Sequence, residues 1–256
     1  MNFLSLVGVE FKKIRRSKIF LIMVIATVIL WVPSILNADL NFGMQAEGIS
    51  PENNFFIQGF MGMAWFLFPS TMIVVTVLQT QIERSNHGIL KMLALPVNTA
   101  KLCIAKFVVL VSFSAIQFLM SIGMYYISIV IAGLTQNYDF FLAPLFVFKE
   151  VGMMWMSSIP MLAFFWLLAV YIQTPIFSIG IGLSSIVPSV LMINTKVWFT
   201  YPMAYPFFVI TAEYGKLAAN LSMTRVDLIP WIPVAALITA VCLMITCIRF
   251  GQAERR

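Results

Sequence analysis

Charged side chains are scarce in this chain of 256 residues: only 10% are Asp, Glu, Lys or Arg, whereas 61% are hydrophobic. A soluble globular domain carries about 25% charged residues. Its surface is also too large, relative to its volume, to leave so little of it charged. The composition therefore excludes a soluble protein and predicts an integral membrane protein.

Residues that bind metals or do chemistry are equally sparse. There is one histidine, His87, which we interpret as a surface polar residue, and the chain has three cysteines, Cys103, Cys242 and Cys247. No CxxC or Cys/His spacing indicates a metal site, so the cysteines are interpreted as small apolar residues and no bound metal or cofactor is expected.

The apolar runs contain almost no acidic residues and no histidine. A proton- or ion-coupled transporter needs such groups at membrane depth, so this class is disfavoured, as are membrane proteases and transferases. The chain also lacks a Gly-x-x-x-x-Gly-Lys phosphate-binding motif. We therefore predict that it is not an enzyme and that energy for uphill transport enters from another chain.

Six apolar segments approach the roughly 20 residues that a helix needs to cross a bilayer. A spanning backbone must satisfy its own hydrogen bonds, which predicts an all-α membrane protein with one membrane domain. The first segment is interpreted as a retained helix, since no A-x-A-like cleavage site follows it. The segments are Ile19–Leu36, Phe55–Leu78, Phe107–Leu134, Val151–Ile172, Ile176–Ile193 and Trp231–Ile248.

The distribution of Lys and Arg predicts the orientation, because basic residues concentrate on the cytoplasmic side. With the N-terminus inside, twelve basic residues lie inside and four outside, whereas three acidic residues lie inside and seven outside. Both termini are then cytoplasmic in a multi-pass protein of the cell membrane. The net charge of +6 follows this membrane pattern and indicates no nucleic-acid partner.

The N-terminal segment Met1–Lys18 is amphipathic, with apolar residues at helical spacing between basic ones. Such a helix lies in the membrane interface, with its cations near anionic headgroups. We predict an interfacial elbow helix; the alternative is a plain basic anchor that only fixes topology. The polar residues concerned are Glu10, Lys12, Lys13, Arg15 and Arg16.

A polar insert, Gln79–Lys106, separates the second and third apolar segments. It contains no proline before Pro96, so a short cytosolic helix is expected that Pro96 ends. A rigid helix tied to two spanning helices can transmit a push from a cytosolic partner; the alternative is a solvated loop without a partner. The candidate coupling residues are Glu83, Arg84, His87, Gly88, Lys91, Leu93 and Pro96.

Three further features of the sequence lead to predictions. The outer stretch Asn194–Pro230 combines aromatic residues with prolines, which predicts short helices in the outer interface or an ordinary aromatic belt. Lys149 and Glu150 are adjacent and are expected to pair, although a buried functional role is an alternative. The link Gln173-Thr174-Pro175 is so short that the fourth and fifth helices are expected to form a close hairpin.

The N-terminal run Glu10–Lys18 resembles the basic signature of type 2 ABC exporter permeases, in particular the lantibiotic-immunity and bacitracin-resistance branch. The insert is similar to the cytosolic element of that family in its order of residues. Two departures concern detailed contacts: Ile89 replaces a common threonine, and Asn98-Thr99 a common Ser-Arg. The matching positions are Glu83, Gly88, Lys91, Met92-Leu93, Pro96 and Lys106.

The resemblance implies a single ABC-2 type transmembrane domain over residues 1–256, with an elbow at 1–18, a coupling segment at 79–106 and an outer loop at 194–230. It implies two permease chains, identical or different, each with a cytosolic ATPase that binds ATP and Mg. The implied cargo is a cationic amphipathic peptide, such as a lantibiotic, expelled for immunity or resistance in Gram-positive bacteria.

The residues themselves give limited support for that cargo. An acidic outer side attracts cationic peptides, although positive-inside bias alone also produces it. Methionines form an adaptable apolar surface or simply face lipid; those concerned are Met120, Met124, Met153, Met154 and Met156. Export of another amphipathic drug or lipid, or a peptide-sensing membrane scaffold that does not transport, are alternatives.

Overall fold

Long apolar helices dominate the computed structural model, which describes residues 3–14, 17–43, 46–84, 98–218 and 228–253. Within these ranges every regular element is helical. The helices are α1 (Phe3–Ile14), α2 (Ile19–Leu36), α3 (Leu40–Gly43), α4 (Pro51–Gly62), α5 (Phe68–Arg84), α6 (Thr99–Gln136), α7 (Pro144–Ser157), α8 (Ile159–Tyr171), α9 (Pro175–Ile186), α10 (Ser189–Met192), α11 (Tyr205–Leu217) and α12 (Leu228–Ala253).

Six stretches of the described chain are long and apolar enough to cross a membrane, as predicted. The first, Ile19–Leu36, has the predicted bounds. The other five begin earlier than predicted; in the second and third, polar residues such as Asn53 and Lys101 continue the helix at its start. They are Pro51–Ile82, Thr99–Gln136, Pro144–Tyr171, Pro175–Met192 and Leu228–Phe250. Following the predicted orientation, we call the end carrying residues 84 and 98 the inner end.

Four of the spanning stretches are interrupted, including α12, whose backbone is non-helical at Ile229. Helices α4 and α5 are joined by a π-helical turn at Met63–Leu67, a wider turn that often occurs at functional positions. Helix α7 gives way to α8 at Ser158, two residues before Pro160. Similarly, α9 ends ahead of Pro188, which precedes α10. A proline lacks the amide hydrogen that would continue the helix, which accounts for the latter two breaks.

Helix α6 is the longest and lies at the centre of the bundle, in contact with α1, α2 and α12. The link between α8 and α9 is as tight as predicted, but α9 packs mainly on α5. Gly182 permits this approach, because a Cβ there would lie 2.4 Å from Cγ1 of Ile73. Small residues at a helix crossing allow such close packing between spanning helices.

The outer stretch after α10 forms two 3₁₀ turns, Trp198–Thr200 and Pro202–Ala204, followed by α11. Helix α11 packs on α7 and α4. Trp198 stacks on Phe208 with 3.5 Å between ring centroids, and the Tyr201 hydroxyl donates to the Ser185 carbonyl. Short helices therefore form here as predicted, and many of their aromatic residues belong to the protein core.

Candidate functional site

Helix α1 lies against the inner half of α6 through one buried face. Leu6, Glu10 and Ile14 are buried at spacings of four residues, which places them on one side of the helix. Phe11 adds an aromatic contact to Phe113, with 5.8 Å between ring centroids. Lys12 is exposed. The helix therefore has the amphipathic character predicted from its sequence, with the unexpected feature that a carboxylate lies on its buried side.

That carboxylate belongs to Glu10, which forms an ion pair with Lys106 at the inner end of α6. Lys106 Nζ donates to Glu10 Oε2 at 2.6 Å, and each side chain is only 2% exposed. Lys13 donates to the other carboxylate oxygen at 2.7 Å. Both oxygens of Glu10 are thus satisfied, which offsets the large cost of removing these charges from water.

Gln79 connects the same site to the inner end of α5. Its Nε2 donates to the backbone carbonyl of Lys106 at 3.0 Å, and the side chain is buried. Gln79 and Lys106 are the two ends of the predicted coupling segment. We refer to Glu10, Gln79 and Lys106 as the inner latch, since they join α1, α5 and α6 where the chain leaves and returns to the bundle.

The electrostatics of the inner latch favour the ionised carboxylate. Burial on its own raises the pKa of Glu10, but the charges and hydrogen bonds of Lys106 and Lys13 outweigh burial and hold the pKa below its ordinary value. Glu10 therefore stays charged at neutral pH. Because burial makes an unpaired charge costly, the pair ties α1 to α6 more firmly than an exposed ion pair would.

Only two of the predicted coupling residues lie in the part of the chain that the structure describes. Glu83 and Arg84 form the last turn of α5 in the described backbone. The remaining candidates lie outside the described residues: His87, Gly88, Lys91, Leu93 and Pro96, together with Arg15 and Arg16 of the N-terminal segment. The roles predicted for all of these side chains stay predictions.

The helices on either side of the Gln79–Lys106 segment extend further into it than the apolar runs predict. Residues 79–84 continue α5, and α6 begins at Thr99, eight positions before the predicted Phe107. Asn98 caps α6 by accepting a hydrogen bond from the Ala100 amide at 2.9 Å. Lys106 belongs to the bundle because Glu10 neutralises it there.

Sequence reasoning selected Glu10 and Lys106 separately and missed their pairing. Ninety-six positions separate them, so no local spacing brings them together. A signal was nevertheless present: they are two opposite charges beside apolar runs, and a charge at the border of an apolar run needs a partner.

An apolar groove of about 630 Å³ opens near the outer end, between α7, α8, α11 and α12. Met153 and Met156 line it beside Trp231 and Ile232. Both methionines are exposed, whereas Met154 is buried. Methionine side chains adapt to ligands of different shapes, so a groove of this composition suits the apolar part of an amphipathic molecule.

Glu150 and Lys216 are the charged residues in the lining of the groove. Glu150 is buried and Lys149 is exposed; their charged atoms are 3.5 Å apart, so the adjacent residues pair as predicted. Lys216 Nζ donates a hydrogen bond of 2.7 Å to Glu213 on its own helix. The groove therefore contains one carboxylate and one ammonium group, each of which belongs to an ion pair, in a lining that is mostly apolar.

Cys103 and Cys242 are buried, and Cys247 is half-buried. Cys103 is buried and free, and it accepts a hydrogen bond from the Trp166 indole at 3.3 Å. Among the described residues, no group of three or more His, Cys, Asp or Glu side chains is arranged to hold a metal ion.

The model of a family described as "ABC-2 family transporter protein" matches residues 6–189, which include most of α1, the inner latch, the first four spanning stretches and most of the fifth. Comparison with curated proteins finds no match.

Proposed function

The chain belongs to the ABC-2 family of transporter proteins and is a membrane permease subunit that works with an ABC ATPase; on this basis we propose that it exports cationic amphipathic peptides of the lantibiotic type. In this proposal, a cytosolic ATPase in two copies hydrolyses ATP with Mg. The permease couples that work to removal of the peptide from the membrane, for self-protection or resistance.

The inner latch is the observation that carries the coupling mechanism. It joins α1, α5 and α6 at the two points that bracket residues 85–97. A push on this segment by the ATPase therefore reaches two spanning helices and the N-terminal helix together. Since packed helices move as rigid bodies, closure of the ATPase would rotate these helices and change access near the outer leaflet.

The orientation and the location of α1 belong to the same proposal. With both termini in the cytoplasm, residues 85–97 face the ATPase, and the exposed Lys12 and Lys18 lie near the anionic headgroups of the inner leaflet. Helix α1 then acts as an interfacial elbow that the buried Glu10 fastens to the bundle.

The substrate class is supported by the resemblance of Glu10–Lys18 and Gln79–Lys106 to immunity permeases and by the groove near the outer end. A peptide with apolar side chains and ammonium groups matches an adaptable apolar groove that contains Glu150. In the lantibiotic branch two different permeases usually pair, so we propose a second, related chain as partner; a homodimer is the other arrangement.

The test is ATP-dependent release of a fluorescent lysine-containing amphipathic peptide from cells that express the chain with its ATPase. We expect release from wild type and none with an ATPase variant that cannot hydrolyse ATP. We also expect no release from the permease double variant Glu10→Gln/Lys106→Met, which replaces the buried ion pair with uncharged side chains. Its ATPase should still bind and hydrolyse ATP, because the cytosolic segment is unchanged.

A matched control is Arg249→Met with Tyr171→Phe, which removes an exposed hydrogen bond between α12 and α8. The control should retain release. Release that survives an inactive ATPase would overturn the transport mechanism and favour a peptide-sensing scaffold. Release of labelled lipid or an uncharged drug in place of the peptide would transfer the proposal to that substrate class.

A further inference from the structure

Two outer loops of the protein carry negative charge only. The segment 37–54 contains Asp39, Glu47 and Glu52, and the segment 137–143 contains Asp139; neither contains Lys or Arg. By contrast, the four basic residues assigned to the outer side all follow position 148: Lys149, Lys196, Lys216 and Arg225. The outer end is therefore divided into an acid-only part and a part of mixed charge.

The fold brings the two acidic loops together. Tyr138 donates its hydroxyl to Glu52 at 2.6 Å, and this hydrogen bond raises the pKa of Tyr138 to about 12. Phe42 packs edge-on against Tyr138 and Phe140, with centroid distances of 5.1 and 5.7 Å. Asp39, Glu47 and Asp139 are exposed. We call Asp39, Glu47, Glu52 and Asp139 the acidic cap.

A cavity of about 410 Å³ lies within the first of these loops, between the end of α2 and the start of α4. Its lining combines the apolar Leu40 and Phe55 with the amides of Asn41 and Asn54. Asn54 is 3% exposed and donates to Asn41 at 2.9 Å, but its carbonyl oxygen has no hydrogen-bond partner in the described part of the chain. A buried acceptor without a donor is costly, and a ligand ammonium or amide would satisfy it.

We propose that the acidic cap and this cavity form a binding site for a polycationic amphipathic peptide, with one side chain in the cavity and the other ammonium groups along the cap. The inference deepens the proposed function, on which it rests for the peptide being a substrate. The cap captures the peptide at the outer surface, before any movement of the spanning helices.

Two alternative ligands, a divalent metal ion and a zwitterionic lipid, fit these residues poorly. The described acidic side chains are not clustered as a metal site. The cap therefore favours a ligand with several separated positive charges, in preference to a single divalent ion. A zwitterionic lipid carries its phosphate beside its ammonium, and several carboxylates repel that phosphate. The C-terminal carbonyls of α2 at the cavity edge also favour a positive group.

The test measures fluorescence anisotropy of a labelled amphipathic peptide with three lysines, on the full chain in phosphatidylcholine nanodiscs. The comparison peptide has glutamine at the three lysine positions. The permease variant is Asp39→Asn/Glu47→Gln/Asp139→Asn, in which only exposed side chains change and the volume is kept. We expect about tenfold weaker binding of the lysine peptide, since three exposed charge pairs are lost and each contributes modestly.

Two further variants locate the site. Gln58→Glu adds a carboxylate of nearly the same shape to the cavity lining and should tighten binding of the lysine peptide. Glu254→Gln makes the same carboxylate-to-amide change on the predicted cytoplasmic side and should leave binding unchanged. Equal affinity of the triple variant and wild type, an equal loss in Glu254→Gln, or equal affinity for the glutamine peptide would each overturn the site.

Binding that is displaced by phosphatidylethanolamine as effectively as by unlabelled lysine peptide would assign the site to lipid headgroups and overturn the peptide assignment. Failure of this site is separable from failure of transport. ATP-dependent release that persists in the triple variant, with its binding unchanged, refutes the cap alone. Normal binding without ATP-dependent release refutes the export function alone.

Discussion

Lys106 Nζ lies 2.6 Å from Glu10 Oε2 at the inner end of the bundle, and both side chains are almost fully buried. The two residues come from the N-terminal helix and the longest spanning helix. Their pairing fixes α1 against α6 at the point where the chain returns from its cytosolic segment. A charge that loses its partner in such a place is far more costly than either the pair or an uncharged replacement of both.

We therefore expect Glu10→Gln to destabilise the protein by about 3–5 kcal/mol, because it leaves the Lys106 ammonium buried without its carboxylate. Lys106→Met should destabilise the protein by a similar amount, because it leaves the Glu10 carboxylate buried without the Lys106 ammonium. The double variant Glu10→Gln/Lys106→Met should recover most of the loss. Thermal unfolding in detergent, followed by tryptophan fluorescence, measures this. Additive effects of the two single changes would show that the pair is not a unit.

The docking of α1 should also depend on pH in a defined direction. The pKa of Glu10 is lowered in the folded protein from its ordinary value of 4.5. The stability that ionised Glu10 contributes is therefore fully present at a pH above its ordinary pKa. This stability is lost as the pH falls through the lowered pKa of the folded protein. A fluorophore at the exposed Val9 should report docked α1 from pH 7 to pH 5 and release only at lower pH.

The Glu10→Gln variant is the control for this titration, since it has no carboxylate at the site. Its α1 should show no corresponding acid transition. A wild-type transition centred above the ordinary glutamate value would contradict the structure, because it would mean that burial dominates over Lys106 and Lys13.

The contact of Gly182 on α9 with Ile73 on α5 gives a prediction for the bundle itself. Gly182→Ala places a Cβ 2.4 Å from Ile73 Cγ1, and overpacking of this kind costs about 1–3 kcal/mol. Gly180→Ala is the matched control, because nothing lies within 4 Å of a Cβ there. Equal unfolding temperatures for the two variants would show that α9 and α5 are not in this close contact.

The coupling segment gives a functional prediction. Glu83→Ala should weaken association of the ATPase or uncouple ATP hydrolysis from resistance, because Glu83 is one of the residues predicted to couple the permease to the ATPase. Gln81→Ala, in the same turn of α5, should retain both. The measurements are co-purification yield and growth in the presence of peptide. Unchanged resistance together with an unchanged yield of complex would refute a coupling role for Glu83.

The membrane class and the number of spanning helices follow from the sequence because the bilayer imposes length and apolarity on each segment. Ile19–Leu36 was predicted with its observed bounds for this reason. Helix ends were less predictable: α6 begins at Thr99 because Asn98 caps it and Glu10 neutralises Lys106. A hydropathy profile reports neither tertiary contacts nor helix capping, so it does not predict these helix ends.

The candidate sites were predictable to different degrees. The residues of the inner latch lie in segments that the sequence singled out, but their contacts depend on how α1 folds back on α6. The acidic cap depends on Phe42 and Glu52 meeting Tyr138, which lies more than 80 positions further along the chain. Long-range pairings of this kind have no periodic signal in a single sequence.

The most direct test is gentle affinity purification of the tagged chain from its native membrane, with identification of the proteins that accompany it. We predict a stoichiometric cytosolic ABC ATPase and a second small permease; an ATPase without a second permease would indicate a homodimer and weaken the lantibiotic assignment. Recovery of the chain without any ATPase, even with nucleotide present, would contradict the proposed coupling through residues 79–106.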